Sequence, residues 1–595
     1  MQSSKLWITT ESSKRAIDFV VALTTVVLLV FIFRNYTSFV YSTNDDLFIK
    51  SIVSGEVTGK PEFRCIYLGI LPGLMISRLY MLFPTVPWYG IFLCFCQIAV
   101  MIVVLYQCLK QACKTTHKMV ILLLFGLISG SIQLQHFALI QYTVVAAIVG
   151  AASIFLFFVS DNDIEGWKFI KANIPSILLF ILALSIRDKA AFMLLPIAGM
   201  LWLFKWLNNP NALKRKRIFA YFGYMGIILG LLGSVKLLDR VAYTNEQWKQ
   251  FLTYTDAREQ IMDYYGYPDY EKNKELYEQY GISYESYQGA AKRYQVLLDD
   301  NINADSMEAL AKVAKEDSSK NSSIPIRIKE TINSFIVRNL SYTDRPLNLF
   351  VYAGYFTITI LAVFWKKYKA LLCECFLIIG RMTSWLYLIW QGRYPERVTQ
   401  GLYYGELLAL LSIGLSFRLF NVKKKRVLVI CIGLFSALCL YFGVQKAGNV
   451  NGAVLGRLYN STAYSRLKEY CTARPQNLYL FDMRSVEYYT EDILQNQEYN
   501  YLNFAVLGSW IPKSPLYTDK FKKIGIHNLE QSILESENIF FVFKDEEGLE
   551  PDYLYNYFRK KYPKCSFTIT DVIKTDNNDT FLVIQLQTEE ADTQV

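Results

Sequence analysis

Apolar runs of membrane-crossing length alternate with polar stretches along most of this chain. They fall near 19–33, 88–109, 120–132, 138–159, 174–186, 190–206, 218–238, 347–365, 370–390, 402–419 and 427–444, which predicts about eleven spans by hydropathy. A further apolar stretch at 65–83 is interrupted by Pro72 and Arg78. It reads as an interfacial or re-entrant helix, because a span there would invert the charge pattern that follows. Lys5, Lys14 and Arg15 precede the first run and no A-x-A-like cleavage site comes after it, so a retained first helix with its N-terminus inside is expected.

Charge supports the same arrangement. Lys110, Lys114 and Lys118, then Lys168 and Lys171, then Lys214, Arg215, Lys216 and Arg217, then Lys366, Lys367 and Lys369, then Lys423, Lys424, Lys425 and Arg426 occupy alternate connections. Basic connections stay on the cytoplasmic side, so an odd number of spans puts the C-terminus outside. Three outer segments result: 34–87, a tyrosine-rich 239–346, and 446–595. The last contains NLYLFD, NIFFVF, FTITDVI and TFLVIQL, strand-like by their β-branched and aromatic content, with the helical DYLYNYFRKKY among them. The expected fold is an all-α polytopic membrane domain over 1–445 with a C-terminal extracytoplasmic α/β domain over 446–595.

Composition narrows the function. The 595 residues are 53% hydrophobic and 15% aromatic, more apolar than an average soluble domain. A net charge of +10 would suit a nucleic-acid partner, but the basic residues sit at the ends of apolar runs rather than along a soluble face. No nucleic acid is expected; the partner is the lipid bilayer. Most of the 11 cysteines lie inside apolar runs, and the three histidines are scattered, which argues against a histidine metal site.

Candidate chemistry concentrates outside. Asp45 and Asp46 in YSTNDDLFIKSIVSGEVTGKPEF follow the first span. Paired carboxylates there can accept a proton or hold a divalent metal ion through oxygen ligands. A plainer reading is a solvated turn, or a helix beginning near Leu47 capped by Asn44 or Asp45. Arg187 in RDKAAF, and Arg393 and Arg397 in QGRYPERV, lie at outer ends of spans, where a planar guanidinium can grip phosphate oxygens or simply orient a helix end. Asp188 can pair with Lys189 or Arg187. Arg258 and Asp263 in DAREQIMDYYGYPDY, with Tyr254, Tyr264, Tyr265 and Tyr267, could line a sugar site or anchor the segment at the interface. Glu374, Arg381 and Glu406 are intramembrane charges, with a structural role favoured for the first two. Asp482, Trp510 and His527 form no triad, and the C-terminal domain reads as accessory or acceptor-binding.

With its Asp-containing loop straight after the first helix, the chain resembles the GT-C superfamily of polytopic glycosyltransferases, in a bacterial branch. STNDDLFIKSIVSGEVTGKPEF, LPGLMISRLYMLFPTVPWY, DAREQIMDYYGYPDY, QGRYPERV and LGSWIPKSP carry the resemblance. It implies a sugar donor on a polyprenyl phosphate, inversion at the anomeric carbon, and Asp45 or Asp46 as the loop carboxylate. The acceptor would be a cell-envelope glycan or a lipid-linked sugar at the outer face. An envelope polysaccharide polymerase or ligase is the first alternative, and a lipid-linked sugar flippase or transporter the second.

Overall fold

The computed structural model describes residues 2–588 apart from 113, 162–163, 294, 321–323, 421–424, 487–488, 496–502 and 547–550. Lys423 and Lys424 of the last basic connection therefore lie outside the described residues. Among the described residues, eight helices are long and apolar enough to cross a membrane: Ser12–Tyr36, Trp88–Gln111, Thr115–Ala138, Tyr142–Val159, Asp188–Leu207, Arg215–Ala242, Leu347–Phe364 and Tyr368–Trp390. The remaining apolar runs lie in the shorter Ile174–Ile186, in Glu396–Ser416, and in the first part of Lys425–Thr472. The interrupted stretch at 65–83 forms Ile70–Leu82, a helix of 13 residues. At about 1.5 Å per residue it falls well short of a hydrocarbon core about 30 Å thick.

Tyr142–Val159 is the centre of the bundle, with 89% of its apolar window buried. Glu396–Ser416 and Ile174–Ile186 pack along it. Close approach depends on small residues: a Cβ on Gly401 would lie 2.6 Å from the Ala147 Cβ. Buried charges in the bundle find partners, as they must where water is scarce. Arg381 Nε donates to Glu406 Oε2 at 2.6 Å and Trp385 Nε1 donates to Glu406 Oε1 at 2.8 Å. Glu374 instead accepts from Thr359 Oγ1 at 2.9 Å, so Glu374 and Arg381, two turns apart on the same helix, serve different neighbours.

Beyond the bundle, the 48-residue helix Lys425–Thr472 leads without a break into the C-terminal sheet. Its strands run in the order Phe504–Val506, Leu478–Phe481, Ile539–Lys544, Thr580–Thr588, Cys565–Lys574. The first three are parallel and the last two antiparallel. All four strand-like runs are strands, and DYLYNYFRKKY supplies the helix Asp552–Lys561. The expectation of a helical membrane region carrying a C-terminal α/β domain is met. Phe504–Val506 was not foreseen, because three residues are too few to show a period.

The C-terminal domain is latched to the 34–87 segment by buried charge. Lys50 Nζ lies 2.6 Å from both Glu491 and Glu56, and Lys468 Nζ lies 2.9 Å from Glu491. Arg34 pairs with Asp492 at 2.7 Å, and Ile493 N–H donates to the Phe39 carbonyl at 2.9 Å. Burial alone would push the Glu491 carboxyl up, but Lys50 and Lys468 outweigh it and hold it below the ordinary range. A depressed carboxyl stabilises the fold above its unfolded value, about 4.3 for glutamate, and that contribution is lost as pH falls below it. Glu491→Gln is expected to lower the thermal midpoint of the detergent-solubilised protein at pH 7, since stripping one partner from a buried pair costs about 3–5 kcal/mol. The gap to wild type should narrow in acid. Equal midpoints at pH 7 would mean the latch carries no stability.

Candidate functional site

The first outer loop is placed by a short parallel pairing. Val40–Tyr41 pairs with Leu139–Ile140, and Ser42 N–H donates to the Ile140 carbonyl at 2.8 Å. This brings the start of the helix Asn44–Ser54 beside the start of the central helix Tyr142–Val159. The N-cap residue is Thr43, not Asn44 or Asp45, and its hydroxyl does not cap the backbone. It donates to Asp46 Oδ2 at 2.8 Å instead.

The two aspartates part company here. Asp46 is fully buried and accepts from Tyr89 OH and from Tyr142 N–H, both at 3.1 Å, as well as from Thr43. Burial is the largest influence on its carboxyl and the neighbouring Asp45 adds to it; against the three hydrogen bonds they push its pKa up to about 7. Asp45 is only half-buried, and among the described residues its carboxylate has no hydrogen-bond or ion-pair partner. Its charge acts on Tyr67, Tyr142 and Arg393.

Arg187 stands in the extended turn between Ile174–Ile186 and Asp188–Phe192. Its Cζ lies 4.8 Å from the Tyr67 ring centroid and 5.7 Å from that of Tyr142, a cation held between two aromatic rings. Among the described residues no carboxylate is within ion-pair distance of it. The neighbouring Asp188 pairs with Lys236 at 2.5 Å, rather than with Arg187 or the Lys189 ammonium. Tyr67 can approach this turn because Gly69 N–H donates to the Ser185 carbonyl at 2.9 Å; a Cβ on Gly69 would lie 2.4 Å from that oxygen.

The 239–346 segment closes the other side. The helix Glu246–Gln260 gives way to a π-helical turn, Ile261–Tyr265, a feature often found at functional sites. Asp263 on this turn is ion-paired with Arg393, whose Cζ lies 5.8 Å from the Tyr264 ring. Burial and then Arg397 push the Arg393 pKa down, while Glu259, Tyr67 and Asp45 oppose them. Glu259 pairs with Lys189 at 2.5 Å and acts on Arg187, Arg393 and Tyr67. Arg258 acts on Tyr67, Tyr254 and Tyr267.

Asp45, Arg187, Arg258, Asp263, Arg393 and Arg397, which come from four separate stretches of sequence, thus share one neighbourhood. Asp46 supports it from inside. Tyr67, Tyr142 and Glu259 are members that the sequence did not single out. Nothing local marks Tyr67 or Tyr142, and Glu259 lay unremarked within DAREQ. Among the described residues no three His, Cys, Asp or Glu side chains converge as metal ligands. Both Asp46 oxygens accept protein hydrogen bonds.

No protein-family model matches the chain. No curated protein matches it either. Among solved structures it is similar to ArnT from Cupriavidus metallidurans, in a crystal structure with bound undecaprenyl phosphate, at 10% identity and a TM-score of 0.38 over 95% of this chain and 97% of that one. At that TM-score the likeness carries no conclusion, and the reading of the site rests on its own residues.

Because the folded Asp46 pKa of about 7 lies above its ordinary 3.8, proton uptake favours the folded state. That contribution is complete below about pH 4 and is lost as pH rises through 7. Wild type should therefore lose thermal stability relative to Asp46→Asn between pH 5 and pH 8. A difference that stays constant over this range would show that the Asp46 carboxyl is not displaced.

Proposed function

We propose that this chain is a membrane glycosyltransferase. It takes a sugar from a polyprenyl-phosphate donor and passes it, with inversion, to a cell-envelope glycan or lipid-linked acceptor at the outer face. The observation that carries this reading is Arg187: a guanidinium gripped by Tyr67 and Tyr142, without a carboxylate partner among the described residues, while the half-buried Asp45 acts on the same Tyr142. A cation held in place without its own anion suits an anionic ligand, and a free carboxylate in the same neighbourhood suits a proton to be removed.

The transfer follows from these two charges. The Asp45 carboxylate takes the proton of an acceptor hydroxyl as that oxygen bonds to the anomeric carbon. The bond from that carbon to the phosphate oxygen breaks, and its electron pair leaves with the lipid phosphate. Arg187 meets the charge that gathers there, and Arg393, Arg397 and Arg258 extend the positive field around it. Asp46 is not the base in this scheme, because its oxygens are occupied by Thr43, Tyr89 and Tyr142. A lipid phosphate is a good leaving group, so no second carboxyl is needed as acid. The basic connections, read as cytoplasmic, would put the N-terminus inside and the 446–595 domain outside, where it would help to hold the acceptor.

Cells making Asp45→Asn should lose the sugar substituent that wild type adds, with activity down about 10²-fold or more, the range for losing a positioned base. Arg187→Ala should cost a similar factor, about 10²–10³, as for loss of one charge-stabilising donor. Mass analysis of envelope glycans and lipid-linked sugars reads both outcomes, alongside a deletion strain. Unchanged glycan composition with altered chain length or export would favour a polymerase or flippase. Full activity in Asp45→Asn would remove the assigned base.

A further inference from the structure

One loop of the C-terminal domain reaches the rings around Arg187. After the edge strand Phe504–Val506 the chain passes Leu507, Gly508 and Ser509 to Trp510. Ser509 adopts a φ of 80°, a left-handed conformation uncommon for a residue with a side chain. The second outer segment pins this loop: Val296 and Leu297 N–H both donate to the Leu507 carbonyl, at 3.0 and 3.1 Å, and Lys513 Nζ donates to the Asp299 carbonyl at 2.8 Å.

The Trp510 indole is 3% exposed and meets two rings edge-on. It lies 4.9 Å from the Tyr67 centroid and 6.1 Å from that of Phe48. Tyr67 is the ring over which Arg187 sits. Phe48 lies one helical turn after Asp45 on Asn44–Ser54. One side chain of the outer domain therefore touches both the platform of the cation and the helix of the carboxylate. The indole N–H is buried and has no hydrogen-bond partner among the described residues. A buried indole N–H ordinarily finds an acceptor.

We propose that Trp510 is a positioning residue: by bracing Tyr67 and Phe48 together it fixes Arg187 relative to Asp45, which makes the C-terminal domain part of the donor-phosphate site. The proposal rests on the transferase reading and adds to it the element that couples the outer domain to the lipid phosphate.

The test is binding of a sugar-free polyprenyl monophosphate to the full-length protein in nanodiscs, with wild type, Trp510→Ala, Trp510→Phe, Arg187→Ala and the Trp510→Ala/Arg187→Ala double variant. Trp510→Ala should weaken binding about tenfold, equivalent to about 1.4 kcal/mol, while Trp510→Phe, which keeps a ring against Tyr67, restores most of it. Since Trp510 acts through Arg187, the double variant should be no weaker than Arg187→Ala alone, a non-additivity that a general structural role would not produce. Should Trp510→Ala not yield folded protein, Trp510→Leu keeps apolar volume without a ring, and the same expectation applies. Wild-type affinity in the ringless variant, or simple additivity with Arg187→Ala, overturns the positioning role and leaves the transferase reading standing. Failure of wild type itself to bind the lipid phosphate overturns the transferase reading, and this inference with it.

Discussion

A carboxylate at the edge of a bilayer must be surrounded by donors, and the structure meets that demand for Asp46 at the N-terminus of its central helix. The free N–H groups and the positive end of the dipole at a helix start are a natural seat for an acid. Tyr142 N–H, at the first turn of Tyr142–Val159, donates to Asp46, while Gln141 caps the same helix by accepting from Val144 N–H at 3.0 Å. The carboxylate thereby ties the first outer loop to the most buried helix of the bundle. The same residue, Tyr142, offers its ring to Arg187. Backbone and side chain of one position thus set both the loop that bears Asp45 and the cation opposite it.

Helical spans were legible because each is a long local run, and lipid allows such a run little else than a helix. The C-terminal strands were legible for a similar reason, their β-branched and aromatic content. The division of labour between Asp45 and Asp46 was not. Adjacent helical positions differ by about 100° in direction, so one of two neighbouring aspartates turned inward, and only the partners Tyr89 and Tyr142, 43 and 96 residues away, decide which. Arg187, Arg393, Arg258 and Asp263 could be picked out singly as outer charges, but their convergence depends on how the second outer segment folds back over the bundle. Tyr67 and Glu259 escaped notice because a tyrosine in an apolar stretch and a glutamate on a polar helix carry no local mark.

The C-terminal domain is fastened at two levels. Lys50, Glu56, Lys468 and Glu491 form a buried alternation of charge in which each ion lies beside an opposite one. Such a set tolerates removal of one member poorly, because what remains is an uncompensated buried charge. It therefore specifies where the domain sits more than it adds net stability. Lys50 belongs to the same helix as Asp45 and Phe48, so the latch and the ring contacts of Trp510 act on one rigid element from two sides.

Charge accounting around the site leads to its polarity. Asp188 is matched by Lys236, Glu259 by Lys189, and Asp263 by Arg393. Arg187, Arg258, Arg397 and Asp45 are the neighbours left without such a match among the described residues, and all four remain partly open to solvent. They do not neutralise each other by direct contact. A site that keeps a cation and a carboxylate apart, with tyrosine rings fixing the cation, can receive a group that is negative at one end and gives up a proton at the other. A lipid phosphate beside an incoming hydroxyl has that character: in the proposed transfer the negative charge would develop on the Arg187 side and the proton would arrive on the Asp45 side. The separation of these two charges, rather than their pairing, is what the surrounding ion pairs preserve.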